Sequence, residues 1–272
     1  MTTEQVYAKD QTKIHLKKWI LPNEIKGSVL LIHGLGEHSG RYTHVAEYLN
    51  TLGYDVFAYD QRGHGQTEGQ RAYAKSHQVF LDDLGQVIMH LEKELHERFF
   101  VMGHSFGGNV LCSYMIGGGH PKIKGVVFSS AWFKLAFEPP KFKVLLANML
   151  KGILPRLSMS NELKIEDLAY DQQCIDAYET DPLVHNKITA SLFVNAYNAG
   201  LHCLENGHLI RVPTLVYHGE DDQIISPSGS KMLAGKIEGS TFKMWEKTKH
   251  EPHNDERKQE VLVLLGGWLD KQ

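Results

Sequence analysis

Short apolar runs alternate with longer amphipathic stretches along most of this 272-residue chain. Residues 29–33, 54–59, 99–103, 125–129, 214–218 and 240–245 read as strands. Most are apolar on both faces, as strands of a parallel sheet covered by helices should be. Residues 5–8 and 13–19 read as an antiparallel hairpin at the sheet edge. Residues 76–95 set Phe80, Leu84, Val87, Ile88, Leu91 and Leu95 on one stripe, the spacing of an amphipathic helix packed on a sheet. Residues 258–269 follow the same pattern. Strand, helix and strand in repetition imply right-handed crossovers, so the expected fold class is α/β, doubly wound around a mostly parallel sheet.

The alternation breaks once. From about residue 131 to 209 helical patterns continue without a convincing strand, too far for a simple connection. We expect one domain over residues 1–272, with this segment inserted as a helical cap. Within it Phe142, Val144, Leu145, Leu146, Met149, Leu150, Ile153 and Leu154 crowd one short helix, with Lys141, Lys143 and Lys151 between them. Such a stripe either packs on the core or meets a lipid surface as the mouth of an acyl tunnel.

Composition narrows the class. With 42% apolar residues the chain can bury a large core, and a net charge of -3 gives no electrostatic reason to expect nucleic acid. Cys112, Cys174 and Cys203 are odd in number and far apart, which suits a reducing compartment without a disulfide framework. The first residues carry no signal-peptide apolar region, and no run is long enough to span a membrane. The expected location is cytoplasmic, with peripheral membrane contact through the cap.

The chemistry centres on Gly103-His104-Ser105-Phe106-Gly107, a G-x-S-x-G pattern directly after a strand and before a helix-forming run. Such a turn lifts the serine hydroxyl above the sheet. A hydroxyl at neutral pH is a poor nucleophile and needs a base and an orienting acid, which in this arrangement follow in the order Ser, Asp, His. Asp222 lies in the acidic turn after strand 214–218 and is preferred to Asp221. His250 lies in the loop after the last strand and is preferred to His253. The backbone amides of Leu35 and Phe106 stand where an oxyanion needs donors. Asp60 and Arg62, after the strand at 54–59, read as holding a tight turn. His250-x-x-His253 has the spacing of half a metal site but no third ligand, so no metal is expected. Neither a P-loop nor a dinucleotide fingerprint is present, so no cofactor is expected.

HGLGEHSGRY at 33–42, DQRGHGQTEG at 60–69 and GHSFGG at 103–108, with the cap stretches at 154–158 and 178–183, resemble the monoacylglycerol lipase and lysophospholipase branch of the α/β-hydrolases over essentially the whole chain. Phe106 stands where a methionine is common in that branch, and the loop 250–255 is more polar than in its mammalian members. The resemblance implies a serine ester hydrolase that releases a fatty acid from a small lipid ester. It also implies a glycerol-head pocket lined by Glu37, Arg41, His104, Tyr178 and His253. Two alternatives share the residues: a carboxylesterase or peptidase on the same triad, the latter anchored by cap acids such as Glu162, Glu166 or Asp167, and a ligand-binding protein without catalysis.

Overall fold

A computed structural model describes residues 1–138 and 140–272, with the side chains of Lys141, Lys143 and Val144 outside the description. Eight strands make the main sheet: β1 (Thr2–Tyr7), β2 (Lys13–Trp19), β3 (Gly27–Ile32), β4 (Tyr54–Tyr59), β5 (Phe99–His104), β6 (Ile123–Ser129), β9 (Thr214–Gly219) and β10 (Thr241–Trp245). Their order is β1-β2-β4-β3-β5-β6-β9-β10. The N-terminal pair is antiparallel, with Thr2 opposite Lys18, and β2 runs antiparallel to β4; every other pairing is parallel. This is the doubly wound, mostly parallel sheet that the alternation of elements predicts, and it fits the α/β-hydrolase fold that the resemblance implies.

The strands are apolar on both faces because both faces are covered. Leu30, Ile32, Val101, Phe128 and Val216 pack in one cluster with residues of α2 (His77–Leu91), α3 (Phe106–Ile116) and α7 (Pro227–Ala234). Val29, Leu31, Phe100, Met102 and Tyr217 face the other way, toward α1 (Thr43–Thr51) and α8 (Lys258–Leu269). At about 25 cal/mol per Å² of apolar surface, these two layers are the main favourable term in folding. α2 ends at Leu91, four residues short of the stripe read from sequence; Leu95 stays buried in the same cluster from the turn that follows.

Between β6 and β9 lie α4 (Lys141–Ile153), β7 (Ser158–Ser160), α5 (Gln172–Thr180), β8 (Lys187–Thr189) and α6 (Ala190–Asn206). The sequence offers no strand here, yet β7 and β8 form a three-residue antiparallel pair, Ser158 opposite Thr189. Three residues are too few for alternation to register. α6 is tied to the nucleophile helix by Asn109, whose Nδ2 donates to the Trp132 and Ala196 carbonyls. No helix among the described residues is long and apolar enough to cross a membrane.

The turn after β4 has two separate anchors. The Asp60 carboxylate accepts from the Ser39 and Gln66 amides. The Arg62 guanidinium instead reaches outward, pairing bidentately with Asp83 on α2 and with Asp10 in the N-terminal hairpin. Asp83 is 2% exposed, so removing its cation strands a buried carboxylate. Arg62→Ala should lower unfolding free energy by about 3 kcal/mol, measured by urea denaturation, with the activity of the folded fraction retained. A stability change under 1 kcal/mol, on the order of a surface pair, would show that the turn does not depend on this contact.

Candidate active site

Ser105 sits where β5 turns into α3, at φ 49° and ψ -117°, a backbone region that costs a non-glycine residue about 1–3 kcal/mol. The small residues around it make that turn possible. A Cβ on Gly107 would meet the carbonyl oxygens of Ile32 and His33, and one on Gly108 would meet the Ala131 side chain. The strain is therefore held by close approach of β3 and of the chain leaving β6. Ser105 Oγ lies 3.0 Å from His250 Nε2, and His250 Nδ1 lies 2.7 Å from Asp222 Oδ2. Residues from three separate loops thus form one hydrogen-bonded line.

Two of those loops are stitched together. Glu220 N donates to Trp245 O and Asp221 N to Thr248 O, so the turn after β9 rests on the turn after β10. A side chain at Gly219 would collide with the Thr248 and Lys249 carbonyls. Asp255 fixes the far side of the His250 loop by accepting from the amides of Lys249, Tyr170, Asp171 and Glu256. Asp222 is buried, whereas Asp221 points outward and accepts from Tyr170 Oη at 3.0 Å.

Electrostatics follow from this packing. Burial alone would lower the pKa of His250, but the Asp222 carboxylate against Nδ1 raises it above the usual histidine value. Burial would raise Asp222, yet His250 and His218 hold it well below the carboxylate range. The geometry is that of an imidazole oriented by an anion. Beside them the Leu35 amide donates to no group among the described residues. The Phe106 amide, first in α3, has no helical acceptor. Both donors are free for an incoming oxygen.

A cavity of about 480 Å³ opens over Ser105 and His250. Trp132, Leu135, Ile188, Phe193, Ile224 and Ile225 are among its apolar lining, and Glu37, His104, Tyr178 and Glu251 among its polar lining, with Asn161, Lys164, Gln223 and two acids of the 131–209 segment, Glu162 and Asp167, also on its wall. Arg41 and His253, grouped with the head pocket by resemblance, do not line it. Arg41 stands behind, giving two 2.6 Å hydrogen bonds to Glu251, one of 2.8 Å to Glu37, and lying 4.8 Å from the Tyr178 ring centre. His253 is fully buried, stacked on Tyr42 at 4.9 Å and edge-on to His104 at 4.7 Å, and burial pushes its pKa down to about 3.

Glu251 is the functional-looking residue that sequence reading misses. It follows His250 directly, in a loop whose polarity was the one available signal. Its carboxylate is buried; burial alone would raise its pKa, but Arg41 holds it far below the ordinary glutamate value. One ring nitrogen of His104 and one oxygen each of Glu37 and Glu251 lie within 4.8 Å of one another. Arg41 already pairs with both carboxylates, so Glu37, Arg41 and Glu251 form an ion triad with one negative charge in excess.

The profile of the serine aminopeptidase S33 family matches residues 23–257. An uncharacterized abhydrolase domain-containing protein of Dictyostelium discoideum is 30% identical over 97% of this chain, which spans 28% of that protein's length. A monoacylglycerol lipase of Mycolicibacterium smegmatis is 28% identical over 92% of this chain and 90% of its own. The crystal structure of Paleococcus ferrophilus monoacylglycerol lipase is 33% identical, covers 94% of this chain and 98% of its own, and superposes with a TM-score of 0.86. The chain belongs to the serine aminopeptidase S33 family of α/β-hydrolases and, within it, to the ester hydrolases of the monoacylglycerol lipase branch.

Proposed function

We propose that this hydrolase cleaves monoacylglycerols to glycerol and a fatty acid through an acyl-enzyme on Ser105. The observation that carries the reading is the Ser105–His250–Asp222 line opening on a cavity whose lining combines apolar side chains with the polar groups of Glu37, His104, Tyr178 and Glu251. His250 Nε2 takes the Ser105 proton as Oγ attacks the ester carbonyl carbon, and the Leu35 and Phe106 amides hold the resulting oxyanion. The intermediate collapses as His250 returns the proton to the departing glycerol oxygen. Water, deprotonated by His250, then attacks the acyl carbon and frees the fatty acid.

The head group follows from hydrogen-bond polarity. His104 Nδ1 faces the Ser129 carbonyl at 3.0 Å, so Nδ1 carries the proton and Nε2 is left as an acceptor. Glu37 and Glu251 add carboxylate acceptors, and the ion triad carries one excess negative charge. Such a lining satisfies the free hydroxyls of glycerol. A phosphate head brings acceptors and more negative charge, and a triacylglycerol brings no hydroxyl at all, so neither offers the donors that these acceptors take.

The segment 131–209 is read as a cap over this cavity, with α4 as its lipid-facing part. Phe142, Leu145, Leu146, Met149 and Ile153 are each more than half exposed, while Ala147 is buried. An apolar stripe of this size suits reversible docking on a bilayer or micelle, from which acyl chains enter without crossing water. Leu150 is half-buried, and Lys151 is engaged by Asn195 Oδ1 at 2.6 Å, so docking rests on the apolar face.

Five outcomes test the reading. Fluorophosphonate should label Ser105, and Ser105→Ala should lose about 10⁶ in turnover with its fold intact. In the same assay monooleoylglycerol should be cleaved well ahead of lysophosphatidylcholine, trioleoylglycerol and aminoacyl anilides. Faster cleavage of the anilides would instead favour a peptidase. The acid limb of kcat/KM should lie above about pH 6.5, since His250 must be neutral to act and its pKa is raised. Asp222→Asn should cost about 10⁴ in kcat while Asp221→Asn stays near wild type; the reverse order would move the acid to Asp221. Finally, Leu145→Ser with Met149→Ser should weaken liposome binding and long-chain turnover but spare a soluble short-chain ester. Equal losses on both substrates would mean that α4 is merely packing.

A further inference from the structure

The buried acid Asp222 has a second imidazole on it. His218 lies near the end of β9 on the same face as Val216, with no side-chain exposure. Its Nε2 is 2.8 Å from Asp222 Oδ2, the same oxygen that faces His250 Nδ1, and 3.1 Å from the Ile225 carbonyl. Its Nδ1 is 2.7 Å from Ser230 Oγ on α7. Asp222 Oδ1 accepts from the Ile224 and Ile225 amides at 2.8 and 2.9 Å. Four donors therefore surround this one carboxylate.

The hydrogen positions follow from the partners. His218 Nε2 faces two acceptors, a carboxylate oxygen and a carbonyl, so Nε2 carries a proton. Ser230 Oγ–H completes the ring by donating to Nδ1. The chain thus continues the line as Ser105, His250, Asp222, His218 and Ser230. We infer that His218 is a positioning residue for the hydrolytic reaction, one that donates to Asp222 Oδ2 to fix the carboxylate and to divide its negative charge between two imidazoles. This rests on the assignment of Ser105, His250 and Asp222 made under the proposed function.

The consequence has a sign. A carboxylate shared with His218 pulls less on His250 than an unshared one. Removing the donor therefore concentrates charge toward His250, stabilises its imidazolium and moves the acid limb of activity to higher pH. Other groups also face His250: His104 from β5, Glu37 from the loop after β3, and its neighbour Glu251. None of these is altered by substitution at 218, so a difference between variants reports the shared oxygen.

The test compares three forms of the full chain on a soluble short-chain ester. His218→Leu should raise the acid limb of kcat/KM by about 0.5–1 unit and lower kcat about tenfold with KM unchanged. His218→Gln places an amide N–H where the imidazole Nε2 stood. It should restore the limb to within about 0.3 unit and most of kcat. A packing role alone would leave the limb in place, or impair Leu and Gln alike, and either result overturns the inference. Should the Leu variant fail to fold, proton NMR of the ¹⁵N-histidine-labelled wild type provides the second arm. Two protected imidazole N–H resonances should appear far downfield, and His218→Gln should remove one. A wild type with one such resonance, unaffected by His218→Gln, defeats the assignment. Failure of the hydrolase reading shows separately, as no turnover and no labelling of Ser105, and the NMR arm needs neither.

Discussion

The structure turns on the strained crossing at Ser105. A serine at φ 49° is stable only where its surroundings leave no alternative, and here two separate chain segments supply that constraint. β3 presses its last carbonyls against Gly107, and the chain leaving β6 presses Ala131 against Gly108. Ser105 N donates to Ser129 O, and Trp132 N donates to Ser105 O, so the turn is bound on both sides by the neighbouring strand's exit. The doubly wound sheet is what brings those exits to one edge. In this sense the large apolar layers on both faces hold a few ångströms of backbone in an unfavourable state, and that state aims the hydroxyl at His250.

A second constraint is the burial of charge. Glu37, Arg41 and Glu251 form a nearly dry triad, and such groupings contribute little net stability because desolvation offsets their attraction. Their value lies in orientation. Glu37 Oε1 accepts from the Gly34 amide and the Tyr42 hydroxyl, which pins the loop carrying Leu35. Glu251 is pinned in turn by Asn254 Nδ2 at 2.8 Å. The same ions that could recognise an alcohol therefore brace the loop that carries the free Leu35 amide.

Much of this was legible in the sequence, for identifiable reasons. Short continuous apolar runs located the strands, since strands covered on both faces have no polar side to alternate with. The G-x-S-x-G turn is readable because sterics demand small residues there, and the order of strands then pointed to Asp222 and His250, which the structure brings into one line with Ser105. What stayed hidden depends on partners distant in sequence. Arg41 and His253 carry the right chemistry but stand behind the cavity, a matter of side-chain direction that motif position does not encode. Glu251 differs from any other loop glutamate only by its 2.6 Å contacts with Arg41, 210 residues away. His218 reads as one more residue of a buried strand until Asp222, four positions on, folds back against it.

The segment between β6 and β9 and the loop carrying Leu35 are joined by direct contacts. His185 N donates to Gly36 O at 2.8 Å, and His38 Nε2 pairs with Asp181 at 2.8 Å, so the stretch after α5 is fastened directly to the loop after β3. Gly36, at φ 81°, leaves no room for a side chain beneath the His185 carbonyl. Glu251 N donates to Leu168 O, fastening the same segment to the His250 loop. Any displacement of residues 168–185 is therefore felt at both the Leu35 amide and the His250 ring. An apolar helix, α4, sits in the same inserted segment, with its exposed face free of these anchors. A lipid surface met by that face would act on a segment tied at two points to the loops that carry Leu35 and His250, while Asn109 ties α6 to α3.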